Sequence, residues 1–166
     1  MDICVAKDKH KKGIMRLYRQ FNDDRIESGV GDSDYQVLDG EMPWAKTLHD
    51  EDCMTLILTE KDFVLGFVTL RLSSFNPFKN VDKLAEVDLM VIEKKLRKRG
   101  FGTQLFKRAS LHLRTYAVTH ILINVAVSNK PALNFWKKQR FKTLSSTHFE
   151  RADGEEEETV YMVRKI

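Results

Sequence analysis

Arg97, Lys98 and Arg99 are followed directly by Gly100-Phe101-Gly102, and apolar residues at helical spacing begin at Leu105. Positive charge and bare backbone therefore stand at the mouth of a predicted helix. A helix start leaves backbone N–H groups unpaired and carries a partial positive charge, so an anion placed there satisfies both. Glycine removes the side chain that would hold a phosphate away from the backbone, and arginine adds paired hydrogen bonds to phosphate oxygens. Other phosphate motifs fit less well. A dinucleotide fingerprint needs a third glycine where this chain has Leu105, and the P-loop Gly-Lys-Ser/Thr is absent. Taken alone, the stretch reads equally as a phosphate cradle or as a basic surface segment, and "KKLRKR" also fits a nucleic-acid patch.

A second chemical signal lies just upstream in "AEVDLMVI". Strand alternation puts Val87, Leu89 and Val91 on one face and Glu86, Asp88, Met90 and Ile92 on the other. A carboxylate at Glu86 or Asp88 can act as general base. An alkyl amine with a pKa of about 10.4 is mostly protonated at neutral pH and must lose a proton before it attacks. The five histidines, His10, His49, His112, His120 and His148, do not pair with another ligand at metal-binding spacing, so no metal is expected.

These residues need a scaffold, and the chain's periodicities supply one. "DICVA" predicts a first strand, followed by a helix with Ile14, Leu17, Tyr18 and Phe21 on one face. A polar, glycine-bearing loop is expected from Asn22, then one or two short helices over 35–50. "CMTLILTE" and "FVLGFVTLRL" predict a hairpin turning at "EKD", and "SSFNPFKNVDK" a loop. Leu105, Phe106, Ala109, Leu113 and Tyr116 mark the buried face of a long helix, and "HILINVAV" reads as a central strand covered on both faces. "NKPALNFWKKQ" predicts a helix capped by Asn129 with Pro131 in its first turn. A closing hairpin is expected around "ADGEEEE", whose acids read as a solvated tip. The order β-α-α-β-β-β-α-β-α-β-β predicts an α/β fold. Its sheet is mixed, antiparallel at first, with a parallel strand–helix–strand unit at residues 85–127 and a right-handed crossover.

Composition agrees with one domain over residues 1–166: 42% hydrophobic, 31% charged, net charge +4. The two cysteines, Cys4 and Cys53, are far apart and read as buried free thiols of a reducing compartment. The start of the chain lacks the apolar core of a signal peptide, and no apolar run approaches a membrane span, so a cytoplasmic protein without a membrane partner is expected.

"VDLMVIEKKLRKRGFGTQLFKRA" resembles the acyl-CoA signature of GNAT-type N-acetyltransferases, in which Arg/Gln-x-x-Gly-x-Gly/Ala opens a helix after an aliphatic strand. Asn129, Ala132, Phe135, Trp136 and Arg140-Phe141 resemble a second family element, Asn-x-x-Ala followed by an aromatic pair and Gly-Phe. The resemblance implies a GNAT-like acyl-CoA N-acyltransferase fold with a central mixed sheet and helices on both faces. It implies acetyl-CoA as co-substrate, with the pyrophosphate on Lys98, Arg99, Gly100, Phe101, Gly102 and Thr103 beside Arg97. The pantetheine arm is expected along Met90, Val91 and Ile92, with Asn129, Ala132, Phe135 and Trp136 completing the site. The implied acceptor is a primary amine of a small molecule, peptide or protein. Backbone N–H near Val91 is the expected oxyanion donor. Two departures stand out. Trp136 replaces a frequent tyrosine that protonates the leaving thiolate, so either no dedicated acid is needed, a thiol pKa being only about 8.5, or Tyr116 or Tyr161 serves, and Arg140 replaces a frequent glycine. The loop from Asn22 to Gly40, with Asp32 and Asp34, corresponds to the family's acceptor-shaping segment. The remaining alternatives are a catalytically inactive CoA-binding sensor of the same fold and a basic nucleic-acid-binding module. A nucleic-acid partner is not expected, and a homodimer is left open.

Overall fold

The computed structural model describes residues 1–27, 52–72, 83–150, 154 and 156–166. Its strands are β1 (Asp2–Val5), β2 (Cys53–Glu60), β3 (Phe63–Leu72), β4 (Leu84–Ile92), β5 (His120–Ala126), β6 (Lys142–Glu150) and β7 (Glu156–Lys165). The helices are α1 (Lys11–Glu27), α2 (Phe101–Thr115) and α3 (Lys130–Lys138). The expected short helices at 35–50, the acceptor-shaping residues Asp32 and Asp34 and most of the loop before β4 lie outside the described residues.

The strands form one seven-stranded sheet in the order β1-β2-β3-β4-β5-β7-β6. β4 and β5 are parallel and every other pair is antiparallel. The β4–α2–β5 unit is the expected crossover. Helices cover both faces. Leu105, Phe106, Ala109 and Leu113 of α2 bury against Val68, Leu70, Ala85, Val87 and Ile121. On the opposite face Ile14, Leu17 and Tyr18 of α1 bury against Ile57, Phe67 and Val91.

Four expectations are corrected. The loop expected from Asn22 begins later, because α1 continues to Glu27. Tyr116 is not part of the buried face of α2: it caps the C-terminus and is half exposed. Cys4 is exposed and Cys53 half-buried, so neither is a core thiol, although neither forms a disulfide. The run at the closing hairpin is not all solvated tip. Glu156 to Glu158 belong to β7, and Glu157 is buried with its carboxylate accepting from Ser128 Oγ at 3.0 Å.

Candidate active site

The central strands part company halfway along. β4 and β5 pair from Leu84↔His120 to Val87↔Ile123 and then stop, while β4 continues to Ile92 and β5 to Ala126. Beyond Val87, β3 is the one strand paired with β4 among the described residues, and the other backbone edge of Asp88–Ile92 faces a gap.

A bulge shapes that edge. Thr69 pairs with Leu89 and Leu70 with Val87, so Asp88 is an extra residue without a partner across the ladder. One extra residue reverses the alternation of everything after it. Val87 packs on the α2 face, whereas Leu89 and Val91 pack on the α1 face. The expected single face of Val87, Leu89 and Val91 is therefore broken at Asp88. Backbone directions follow the same count. The Glu93 N–H bonds to Leu65 O on β3 at 2.9 Å. Stepping back by two puts the Val91 N–H on the β3 side and those of Met90 and Ile92 on the gap side.

The gap opens into a cleft of about 600 Å³ lined by Met90, Val91 and Ile92, by Ser128, Asn129 and Pro131 across from them, and by Phe21, Asp24, Arg25, Glu27, Lys94 and Arg97. The three strand residues expected to guide an acyl carrier are thus together with Asn129. Asn129 also caps α3, its Oδ1 accepting from Ala132 N at 3.1 Å. Ser128 and the α1 residues have no local sequence signature. They reach the cleft only through the fold.

The start of α2 lies next to the end of β4. Lys98 (φ 60°) and Gly100 (φ 86°) are both left-handed, turning the chain from a short 3₁₀ turn at Lys94–Leu96 into the helix. No side chain caps α2, so the N–H groups of its first turn point out without a helical acceptor. A Cβ on Gly100 would meet nothing within 4 Å, which leaves open space at the helix mouth. Gly102 differs: a Cβ there would sit 3.2 Å from Phe135 and 3.3 Å from Met90, so this glycine lets α2, α3 and β4 close on each other. Lys98 and Arg99 are exposed, Arg99 lying 5.7 Å over the Phe101 ring, and Thr103 Oγ1 accepts from Gln139 at 3.0 Å.

Four of the sequence-predicted residues are held by contacts within the protein. The Arg97 guanidinium does not turn outward toward a phosphate. Its Nε donates to Ile92 O at 3.1 Å and its Nη2 pairs with Asp24 at 2.5 Å. Trp136 is a core residue, 7% exposed, in edge contacts with Phe106 at 5.3 Å and Phe141 at 5.1 Å. Phe135 stacks edge-on against Trp136 at 4.8 Å, and Ala132 packs against the same core. Trp136, Phe135 and Ala132 do not line the cleft, because the apolar stripe of α3 holds it against β5 and α2.

Glu86 and Asp88 come together, bridged by Arg71 of β3, which donates to Asp88 at 2.8 Å and to Glu86 at 3.3 Å. Burial pushes the Asp88 carboxyl above its ordinary range, and Arg71 pulls it back only in part. Arg71 in turn is held above the usual arginine value, chiefly by the charge of Asp88. Arg71 was not foreseen. Its position opposite Glu86 depends on the β3–β4 register.

A mixed sheet parted at its parallel β4–β5 pair, with an uncapped glycine-opened helix at the parting, defines the class of acyl-CoA-type acyltransferases. The sequence profile of the acetyltransferase (GNAT) family matches residues 14–141, and the chain belongs to that family. It is 30% identical over 99 residues to an N-alpha-acetyltransferase of Sulfurisphaera tokodaii, a match covering 56% of this chain and 59% of the relative. The match therefore spans less than two thirds of that relative's length. An N-acetyltransferase from Staphylococcus aureus Mu50 shares the fold with a TM-score of 0.73 at 18% identity, covering 99% and 97% of the two chains. The ribosomal-protein-S18-alanine N-acetyltransferase of Escherichia coli does so with a TM-score of 0.70 at 12% identity, covering 99% and 93%. Among the described residues no cluster of His, Cys, Asp and Glu could hold a metal, and no helix is long and apolar enough to cross a membrane.

Proposed function

We propose that the chain transfers an acetyl group from acetyl-CoA to a primary amine, with the α-amino group of a peptide or protein as acceptor. The loss of β4–β5 pairing after Val87 beside the uncapped start of α2 carries the reading. It supplies a slot for an extended amide-bearing arm and an N–H-rich mouth for its diphosphate. The amine acceptor rests on the acid-lined bulge, and its α-amino character on the name of the archaeal relative.

In this reading the first-turn N–H groups of α2, with Lys98 and Arg99, hold the diphosphate. Arg97 shapes the cleft wall. The pantetheine arm runs along Met90–Ile92 and faces Asn129. The N–H on the gap side nearest the bulge belongs to Met90, so Met90 rather than Val91 stabilises the oxyanion of the attacked thioester. Asp88 is the general base. It sits at the bulge, and a carboxyl raised by burial holds a proton better than an exposed one. Glu86, on the other arm of Arg71, attracts the ammonium form of the acceptor. Tyr116 ends a 15-residue helix whose start lies next to the end of β4, about 22 Å away. The thiolate therefore leaves either without a dedicated acid or with Tyr161, opposite Asn124 on the β5–β7 ladder.

The test is acetyl-CoA-dependent thiol release with a panel of N-terminally free peptides, lysine-only peptides with blocked N-termini, and small polyamines. Release with the first group alone supports the reading. Tight acetyl-CoA binding without release in any group would instead make the chain a CoA-binding sensor, the alternative that the buried Trp136 favours.

A further inference from the structure

Charge in this protein is segregated to a degree its net value hides. From Lys94 to Phe149 there is no Asp or Glu at all, while the same stretch carries thirteen Lys and Arg. All 24 acids lie outside it. The stretch includes α2 and α3, the helices that cover one face of the sheet. The acyl-carrier site accounts for cations near the start of α2. It does not account for those at the far end, about 20 Å further along the helix axis at Arg114.

At that far end three arginines converge from separate elements: Arg114 on α2, Arg140 after α3, and Arg164 on β7. Arg164 lies 5.3 Å over the Phe106 ring. Phe106 of α2 also packs against Phe141, the neighbour of Arg140, at 5.5 Å, so Arg140 and Arg164 flank one ring, and the charges of Arg140 and Arg114 add to burial in lowering the Arg164 pKa. No carboxylate among the described residues pairs with any of them. Arg140 is exposed and left-handed, φ 65°, a conformation costing a non-glycine residue about 1 kcal/mol. A strained, exposed arginine thus completes a cluster of like charges.

We propose that this face, centred on Arg114, Arg140 and Arg164 with Lys142 at its margin, docks the phosphodiester backbone of a single-stranded nucleic acid, independently of acetyl-CoA. The excess of cations among the described residues of this face selects this partner. An interface for a folded protein normally sets both signs against their complements. A cluster of arginines matches a ligand of evenly repeated negative charge, and guanidinium groups match phosphate oxygens in pairs. This site is separate from the segment 94–99, where Lys94 and Arg97 are already paired to α1.

The experiment is fluorescence anisotropy of a labelled oligouridylate with the full chain, titrated in salt with and without saturating acetyl-CoA. Binding should persist with acetyl-CoA, and the logarithm of affinity should fall against that of salt with a slope of about −3, as for four phosphate contacts. Arg114→Glu with Arg140→Glu should weaken binding at least tenfold and flatten the slope. The same variant should leave the acetyl-CoA affinity and the melting temperature near those of the parent, which separates this proposal from the acetyltransferase reading. Loss of RNA binding on adding acetyl-CoA would overturn it, as would equal binding by the double variant. So would absence of RNA binding at physiological salt, including the case in which anionic phosphatidylserine vesicles or polyglutamate bind instead.

Discussion

Asp24, near the end of α1, holds the guanidinium of Arg97 across the end of β4, where Arg97 also donates to Ile92 O. Asp24 accepts from Lys94 as well, and Arg16 pairs with Glu93. The loop that leads into α2 is therefore fastened to α1 side by side with the cleft. The mouth of the site depends on a helix from the other end of the sequence.

The first prediction concerns that fastening. Burial alone would raise the Asp24 carboxyl, but the bonds from Lys94 and Arg97 more than offset it and leave it below 3.8. A depressed folded-state value means stability that is present above the unfolded value and lost as pH falls through the folded one. Asp24→Asn should cost about 1–3 kcal/mol at neutral pH. Urea denaturation of parent and variant as a function of pH checks this: the gap should close below pH 3.8.

The two glycines of the helix mouth should separate in a second experiment. Gly102→Ala forces a Cβ against Phe135 and Met90, so it should lower stability by about 1–3 kcal/mol, as overpacking does. Gly100→Asn adds a side chain in open space, in a conformation asparagine tolerates. It should keep the melting temperature within a few degrees while weakening acetyl-CoA binding at least tenfold by calorimetry. Undiminished affinity in Gly100→Asn would remove the diphosphate from this helix start.

Much of this was legible in the residues. Periodicity marked the elements, and Arg97–Thr103 and Asn129 marked both sides of the gap. What escaped was set by register. A strand pattern cannot reveal that Asp88 is an extra residue, because the bulge exists only relative to Thr69 and Leu70 on β3. Arg71 and Asp24 were invisible for the same reason, since their partners are 15 or more positions away. Helical spacing does not say whether the aromatic stripe of α3 faces a core or a cleft, and only the packing of Trp136 against Phe106 and Phe141 places it in the core.

Asp88 provides the third prediction. Its folded-state pKa is raised, so ionisation opposes folding: the related stability is present below 3.8 and is lost as pH rises through the folded value. Asp88→Asn mimics the neutral form and leaves Arg71 paired to Glu86. The variant should be as stable as the parent or more so at neutral pH, yet kcat/KM should drop about 10²–10⁴-fold. Glu86→Gln should change KM for the amine more than kcat. Equal loss of stability and activity in Asp88→Asn would make Asp88 a structural residue.

Trp136 and Arg140 occupy the positions where the family's tyrosine and glycine are frequent, and the last prediction treats both. Trp136 is packed between Phe106, Phe135 and Phe141. Trp136→Ala should cost about 3–5 kcal/mol, whereas Trp136→Phe should retain most turnover because the indole N–H has no part in the chemistry. Arg140 pays for a left-handed backbone. Arg140→Gly relieves about 1 kcal/mol of strain and one of three like charges, against a gain in unfolded-state entropy of about 0.4–1 kcal/mol. Stability in chemical denaturation should therefore stay level or rise by up to about 1 kcal/mol, where glycine within a regular element would lower it. A clear fall would show that the Arg140 side chain holds the end of α3, and would shift its role from the charged face to the packing beneath it.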